Sequence, residues 1–309
     1  MPCLPRFCRL LLCAVALCAG ATAADELPVL RLGIPPWQKS QTIDEIREQY
    51  RPVLTWLGTQ IGYRFVVVGG RSYEEMISLI ALGEVQLAAL SPVPYVQAKR
   101  QNPDLDLLVT ELKWDEGHTT LIDSYEGFIV ALRSRNDLTG PADLRGRKVA
   151  FVNTESSSGW RYPNAELRKL GIDIHTAAAQ TLFLGSHPRV TDAIAAGSVD
   201  AGATWDYNLK EAVRLHGDVF KVLLKTPPIP NICLVAHPKL DPALRTRIRE
   251  LLAHADPSLF TATPMQGYVV RPDAFYDVVR TLIDNEQTPG PNQAHAHDQV
   301  PVPAPPAGK

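Results

Sequence analysis

Lys148-Val149-Ala150-Phe151-Val152-Asn153-Thr154-Glu155-Ser156-Ser157-Ser158-Gly159-Trp160 is the stretch on which the reading of this chain turns. Residues 149–152 form a short apolar run of the length of a buried strand. The run breaks into Asn153, Thr154 and Glu155, then three hydroxyls, and Gly159 closes it. Beyond Gly159 the sequence reads helical as far as Leu170, with Gly171 placed to end the helix. A strand, a Ser/Gly turn and a helix start bring unpaired backbone N–H groups and hydroxyls to one spot at the positive end of a helix dipole. Such a spot suits a tetrahedral oxyanion. One serine there would read as a helix cap; three in succession exceed what a cap needs.

Outward from this stretch, strands and helices alternate. Residues 27–34 read as an opening strand that ends in Pro35-Pro36-Trp37. Ile43, Ile46, Tyr50, Val53, Leu54, Leu57 and Ile61 recur at helical spacing, and Pro52 suggests that the main helix begins near it or is kinked there. Residues 64–68 give a second strand. Ser72 and Glu75 form a capping box ahead of Met76, Ile77 and Ile80, and Gly83 ends that helix. A strand over 85–90 then turns through Ser91-Pro92-Val93-Pro94-Tyr95 into another helix. Ile80-Ala81-Leu82-Gly83-Glu84-Val85 returns as Ile194-Ala195-Ala196-Gly197-Ser198-Val199. The same offset sets Ser72 against Ser186 and Tyr73 against His187, a polar ring at the first turn of each equivalent helix. The pattern predicts two α/β units with mainly parallel sheets. Residues 126–133 and 232–237 read as the strands that carry the chain between lobes. The expected division is a first lobe of 25–125 and 230–287 around a second lobe of 126–229.

The ends set the address. A basic start, an apolar run over 10–19 and Ala21-Thr22-Ala23 make 1–24 a secretory signal peptide, with cleavage after Ala23 or Ala24 fitting equally well. Neither Cys13 nor Cys18 has the spacing of a lipid-anchoring site. Four of the five cysteines lie in that signal, leaving Cys233 alone and no internal disulfide. Net charge is −2 with acids and bases interspersed, which excludes a basic nucleic-acid footprint, and no second apolar run reaches membrane length. Residues 288–309 are rich in Pro, Ala and Gln and read as a disordered tail. His295 and His297 within it lack the partners of a metal site. The expectation is a soluble monomer without metal or cofactor.

With these motifs placed, the chain resembles the solute-binding proteins of phosphate, phosphite and phosphonate ABC importers, the phosphonate-binding branch of the two-lobed type II periplasmic binding protein fold. The resemblance covers residues 30–283. Its most specific piece is Ser156-Ser157-Ser158-Gly159, which matches the family's Ser-Thr-Ser-Gly loop. Gly185-Ser186-His187, with Ala193 and Val199-Asp200-Ala201, matches a second family segment. Tyr73 sits at the family's cleft tyrosine, and the segment ending in Tyr95 is one where an aromatic faces the ligand. The resemblance implies a periplasmic receptor that closes its lobes on a small phosphorus oxyanion and delivers it to an inner-membrane permease. It implies ligand contacts from Ser156, Ser157, Ser158, Gly159, His187 and Tyr73, with Tyr95 and Asp206 as further candidates; Trp37 is a candidate because it follows the first strand, where α/β sheets place their ligands.

One departure bears on the ligand. Family members that take an aminophosphonate hold its amine with acids, and here Asn231 stands where one acid is expected. Asp206 lies near the other acidic position, with a register uncertain by one residue across Trp205-Asp206-Tyr207. Headgroup-only ligands are therefore expected. Two other readings compete. The liganded protein could be presented to a sensor kinase. Ser157 or Ser158 with His187 and Asp206 are also the residue types of a hydrolase triad, but the loop lacks the Gly-x-Ser-x-Gly elbow.

Overall fold

The structure is a computed structural model that describes residues 27–35 and 42–287. The signal peptide, Trp37 and the tail expected over 288–309 lie outside the described residues.

The chain runs β1 (Val29–Ile34), α1 (Ile43–Ile61), β2 (Arg64–Gly69), α2 (Tyr73–Leu82), β3 (Leu87–Leu90), α3 (Pro92–Gln101), β4 (Asp106–Trp114) and β5 (Leu121–Ile122). It crosses to a second lobe at β6 (Ser124–Tyr125). There it forms β7 (Gly127–Leu132), β8 (Lys148–Phe151), α4 (Tyr162–Lys169), α5 (Ile174–Ala177), β9 (Gln180–Phe183), α6 (His187–Ala195), β10 (Ala201–Trp205), α7 (Asp206–His216) and β11 (Phe220–Lys225). It returns through β12 (Ile229–Pro230) to β13 (Cys233–Ala236), α8 (Pro242–Ala253), β14 (Gly267–Val269) and α9 (Asp277–Gln287).

The first sheet has the order β14-β4-β13-β3-β1-β2 with β5 on the side of β4; the second has the order β11-β7-β10-β8-β9. Each sheet is mixed. β1 pairs in parallel with β2 and β3, and β8 with β10 and β9, while β13 and β7 run antiparallel to their neighbours. Part of the antiparallel share comes from β7 and β13, which enter their sheets straight from a crossing, and part from β5 and β14 on β4; strand–helix alternation announces neither. The crossing itself lies just before the segments expected for it. β6 and β12 pair antiparallel, Ile229 against Tyr125 and Pro230 against Ser124, so the two connections form one ribbon between the lobes.

Local sequence explains most element ends. α1 begins at Ile43, not near Pro52, because Thr42 and Glu45 form a reciprocal capping box ahead of it. Its buried stripe of Tyr50, Val53 and Leu57 packs on β1 and β2, and that burial outweighs the one backbone bond that Pro52 inside the helix removes. Ser72 caps α2 by accepting from the Glu75 N–H, but the Glu75 carboxylate accepts from Arg71 instead of completing the box. The internal echo is structural. Gly83 and Gly197 close α2 and α6 with φ of 82° and 67°. Glu84 N–H then donates to Leu79 O, and Ser198 N–H to Ala193 O, each at 2.9 Å.

Candidate functional site

The serine loop opens as a π-turn. Ser157–Arg161 has π-helical bonding and leads directly into α4, with Ser156 as its cap. The Gly159 N–H donates to Ser156 Oγ at 3.1 Å, and the wider turn aims successive residues into the space between the lobes. A side chain at 159 is impossible here, because its Cβ would lie 2.4 Å from Val152 Cγ2 and 2.6 Å from Ser156 Oγ.

Around this loop lies a small pocket lined by Tyr73, Ser91, Tyr125, Ser156, Ser157, Ser158, His187, Trp205 and Ile232. Five helix starts converge on it. Tyr73 and His187 are the first residues of α2 and α6, Ser91 and Trp205 cap α3 and α7, and Ser156 caps the turn into α4. Their dipoles add to a positive potential, yet no Lys, Arg, Asp or Glu is among the lining residues.

Both lobes hold the loop. Val93 N–H, one of the unpaired donors at the start of α3, donates to Ser157 Oγ at 3.0 Å across the cleft. The Tyr73 hydroxyl lies near Ser156, and the Tyr125 hydroxyl near Ser157 and Ser158. Tyr73 belongs to α2 but packs among Val130, Ala150, Val152 and Val190 of the second lobe. The site is dry: Ser157 is 1 % exposed and His187 4 %. Burial pushes both tyrosine hydroxyls well above their usual range, and it holds the His187 ring down to about 3, so the ring is neutral at physiological pH. Two donors are left over. Ser91 Oγ and Trp205 Nε1 are buried with no partner among the described residues. Each such orphan costs about 1–3 kcal/mol until something accepts from it. The arrangement is a water-excluded box of neutral donors, and its complement is a compact polyoxygen anion.

The model of a family described as the periplasmic substrate-binding protein of phosphonate ABC transporters matches residues 32–272. The chain belongs to that family. Relatives bear this out. The chain is 27 % identical to a phosphate-import protein PhnD of Mycolicibacterium smegmatis, with 86 % of this chain and 90 % of that one covered. In three dimensions it is similar to the binding component of an ABC phosphonate transporter from Pseudomonas aeruginosa, at TM-score 0.75 and 17 % identity over 85 % and 87 % of the two chains. It is also similar to PhnD1 of Prochlorococcus marinus in complex with methylphosphonate, at TM-score 0.70 and 16 % identity over 84 % and 98 %. The family's members are transport components and not enzymes. The structure gives the matching physical reason: Ser157, His187 and Asp206 do not form a relay, since the Asp206 carboxylate accepts from Lys113 and His187 Nδ1 faces Thr204.

Of the residues singled out in the sequence, Tyr73, Ser156, Ser157, Ser158 and His187 meet in the pocket. Three others do not reach it. Gly159 spends its N–H on Ser156 and serves by lacking a side chain. Tyr95 is fully buried in the first lobe, edge-on to Tyr276 with its hydroxyl on Asp273, because one helical turn past Ser91 the chain already faces that core. Asp206 is drawn off by Lys113 of β4 and accepts weakly from the Glu126 N–H, so it lines the neighbouring groove. Asn231 is likewise structural, since its amide donates to the carbonyls of Glu111 and Ile122. The lining residues that the sequence reading missed are Ser91, Tyr125, Trp205 and Ile232. Trp205 and Ile232 stand one residue from Asp206 and Asn231, and Ser91 lies in the segment that had pointed to Tyr95.

Proposed function

We propose that this protein is exported by its N-terminal signal, acts as a monomer, and closes on one small tetrahedral phosphorus oxyanion for delivery to its permease. Phosphate, phosphite and methylphosphonate are the ligand class. The observation that carries this reading is the lining itself: five helix starts and neutral hydroxyl, indole and imidazole donors, with no carboxylate among them. An aminoalkylphosphonate brings an ammonium that would be buried without a countercharge, at a cost of several kcal/mol. The names of the mycobacterial and cyanobacterial relatives, one a phosphate importer and one bound to methylphosphonate, point the same way.

Calorimetric titration of the mature protein with phosphate, phosphite, methylphosphonate and aminoethylphosphonate tests it. At least one of the first three is expected to bind better than the aminoethyl compound by about tenfold or more, or 1.4 kcal/mol. Preference for the amine-bearing ligand would overturn the assignment.

A further inference from the structure

His187 lines the pocket with Nδ1 set against Thr204, and whether its other ring nitrogen donates or accepts is settled by residues behind it. Thr191 Oγ1 lies 3.0 Å from Pro188 O and 3.3 Å from His187 O. A carbonyl only accepts, so the Thr191 hydroxyl donates there and its oxygen is left to accept. The Asn208 amide reaches both Thr191 Oγ1, at 3.3 Å, and Thr204 Oγ1, at 2.9 Å. With Thr191 unable to donate a second time, the group facing it is the NH2 of Asn208, which also donates to Thr204. Thr204 is fully buried on β10, and its own proton has one described acceptor, His187 Nδ1 at 3.4 Å. An Nδ1 that accepts carries no proton, so the proton of the neutral ring sits on Nε2.

We infer that the chain Asn208–Thr204 fixes His187 as the Nε2–H tautomer, so that the pocket selects the doubly ionised form of its phosphorus ligand. A bare PO3 group needs donors on all three oxygens and no acceptor. A singly protonated one carries an O–H that must find an acceptor, and the group best suited to that task, an imidazole lone pair, is turned away. Cationic His187 would need a proton on Nδ1, reversing the Thr204 hydroxyl and stranding its hydrogen in the core. The titratable groups facing His187 across the pocket are Tyr73 of α2 and Tyr125 of β6, both un-ionised; the Lys113–Asp206 pair lines the groove alongside. Thr204 and Asn208 are positioning residues in this scheme. The inference rests on the proposed phosphorus ligand.

The test is the pH dependence of methylphosphonate affinity, together with the 15N shifts of His187 in the ligand-free wild type. Expected are a pyridine-like Nδ1 and a pyrrole-like Nε2. Affinity should rise about tenfold per pH unit up to the second pKa of the ligand and level off above it. Thr204→Val frees Nδ1 to hold the proton, so affinity should fall above that pKa, and Thr204→Ser should restore the wild-type profile. A pyrrole-like Nδ1, a histidinium, or a wild-type profile flat through the second pKa would overturn the inference while leaving phosphonate binding intact. Absence of binding by every phosphorus anion at every pH would instead remove the function it rests on. The nitrogen shifts decide the tautomer even if the valine variant does not fold.

Discussion

Ser157 and Ser158 differ from Ser156 in what they are free to do. Ser156 accepts from Gly159 and meets Tyr73, so it holds the π-turn in shape. Ser157 and Ser158 face the pocket, where Ser157 accepts from Val93 N–H and both lie near the Tyr125 hydroxyl. Replacing both with Ala should weaken oxyanion binding by about 2–5 kcal/mol, since two donors to a charged ligand are lost. Calorimetry gives the binding term and thermal melting the fold; a lowered midpoint with unchanged affinity would reassign them as caps. At this scale the sequence was legible where chemistry repeats, as in the three serines and the Tyr73–His187 echo. It was blurred where a single residue of register matters. At a strand end the side chain facing the cleft and its neighbour point opposite ways. Trp205 and Ile232 thus replace Asp206 and Asn231 without any change in the segment identified.

Among the elements, β4 carries two groups whose protonation has consequences. Glu111 lies opposite Tyr268 of β14 and near Tyr50 of α1, and burial alone raises its carboxyl to about 8. Its folded pKa stands above the ordinary 4.5, so the unfolded chain releases the proton first as pH rises. The contribution of this group to stability is therefore fully present below pH 4.5 and is lost through about 8, by roughly 3–5 kcal/mol. Urea denaturation of wild type and Glu111→Gln across that range should show the difference between them shifting by this amount in favour of the variant. A constant difference would mean that Glu111 is already ionised. Lys113, two residues on, pairs with Asp206 of the other lobe, both side chains under 20 % exposed. Asp206→Asn should speed ligand release several-fold in stopped-flow measurements, because it removes an ion pair that ties one lobe to the other. An unchanged release rate would make the pair a passive contact. Neither group was legible in the sequence, where residues 106–114 were not read as an element at all.

In the whole molecule, the two-lobed plan followed from strand–helix alternation plus the echo at Gly83 and Gly197. The mixed sheets did not, since pairing direction depends on where the chain crosses. The pairing of β6 with β12 joins the two connections into one ribbon, the place where a hinge between the lobes would bend.

The uncharged pocket also bears on kinetics. The protein carries a net charge of −2, and its site adds no cationic funnel to draw in an anion. Encounter with a dianion is assisted by the helix dipoles and not by side-chain cations, so it stays near the ordinary rate for a small solute finding an open cleft. Affinity then resides in how long the ligand stays, set by how seldom the ribbon bends open. A receptor of this construction gives up its cargo when something pries the lobes apart, and salt in the surrounding fluid, which screens exposed charges and not buried dipoles, leaves both capture and retention largely untouched.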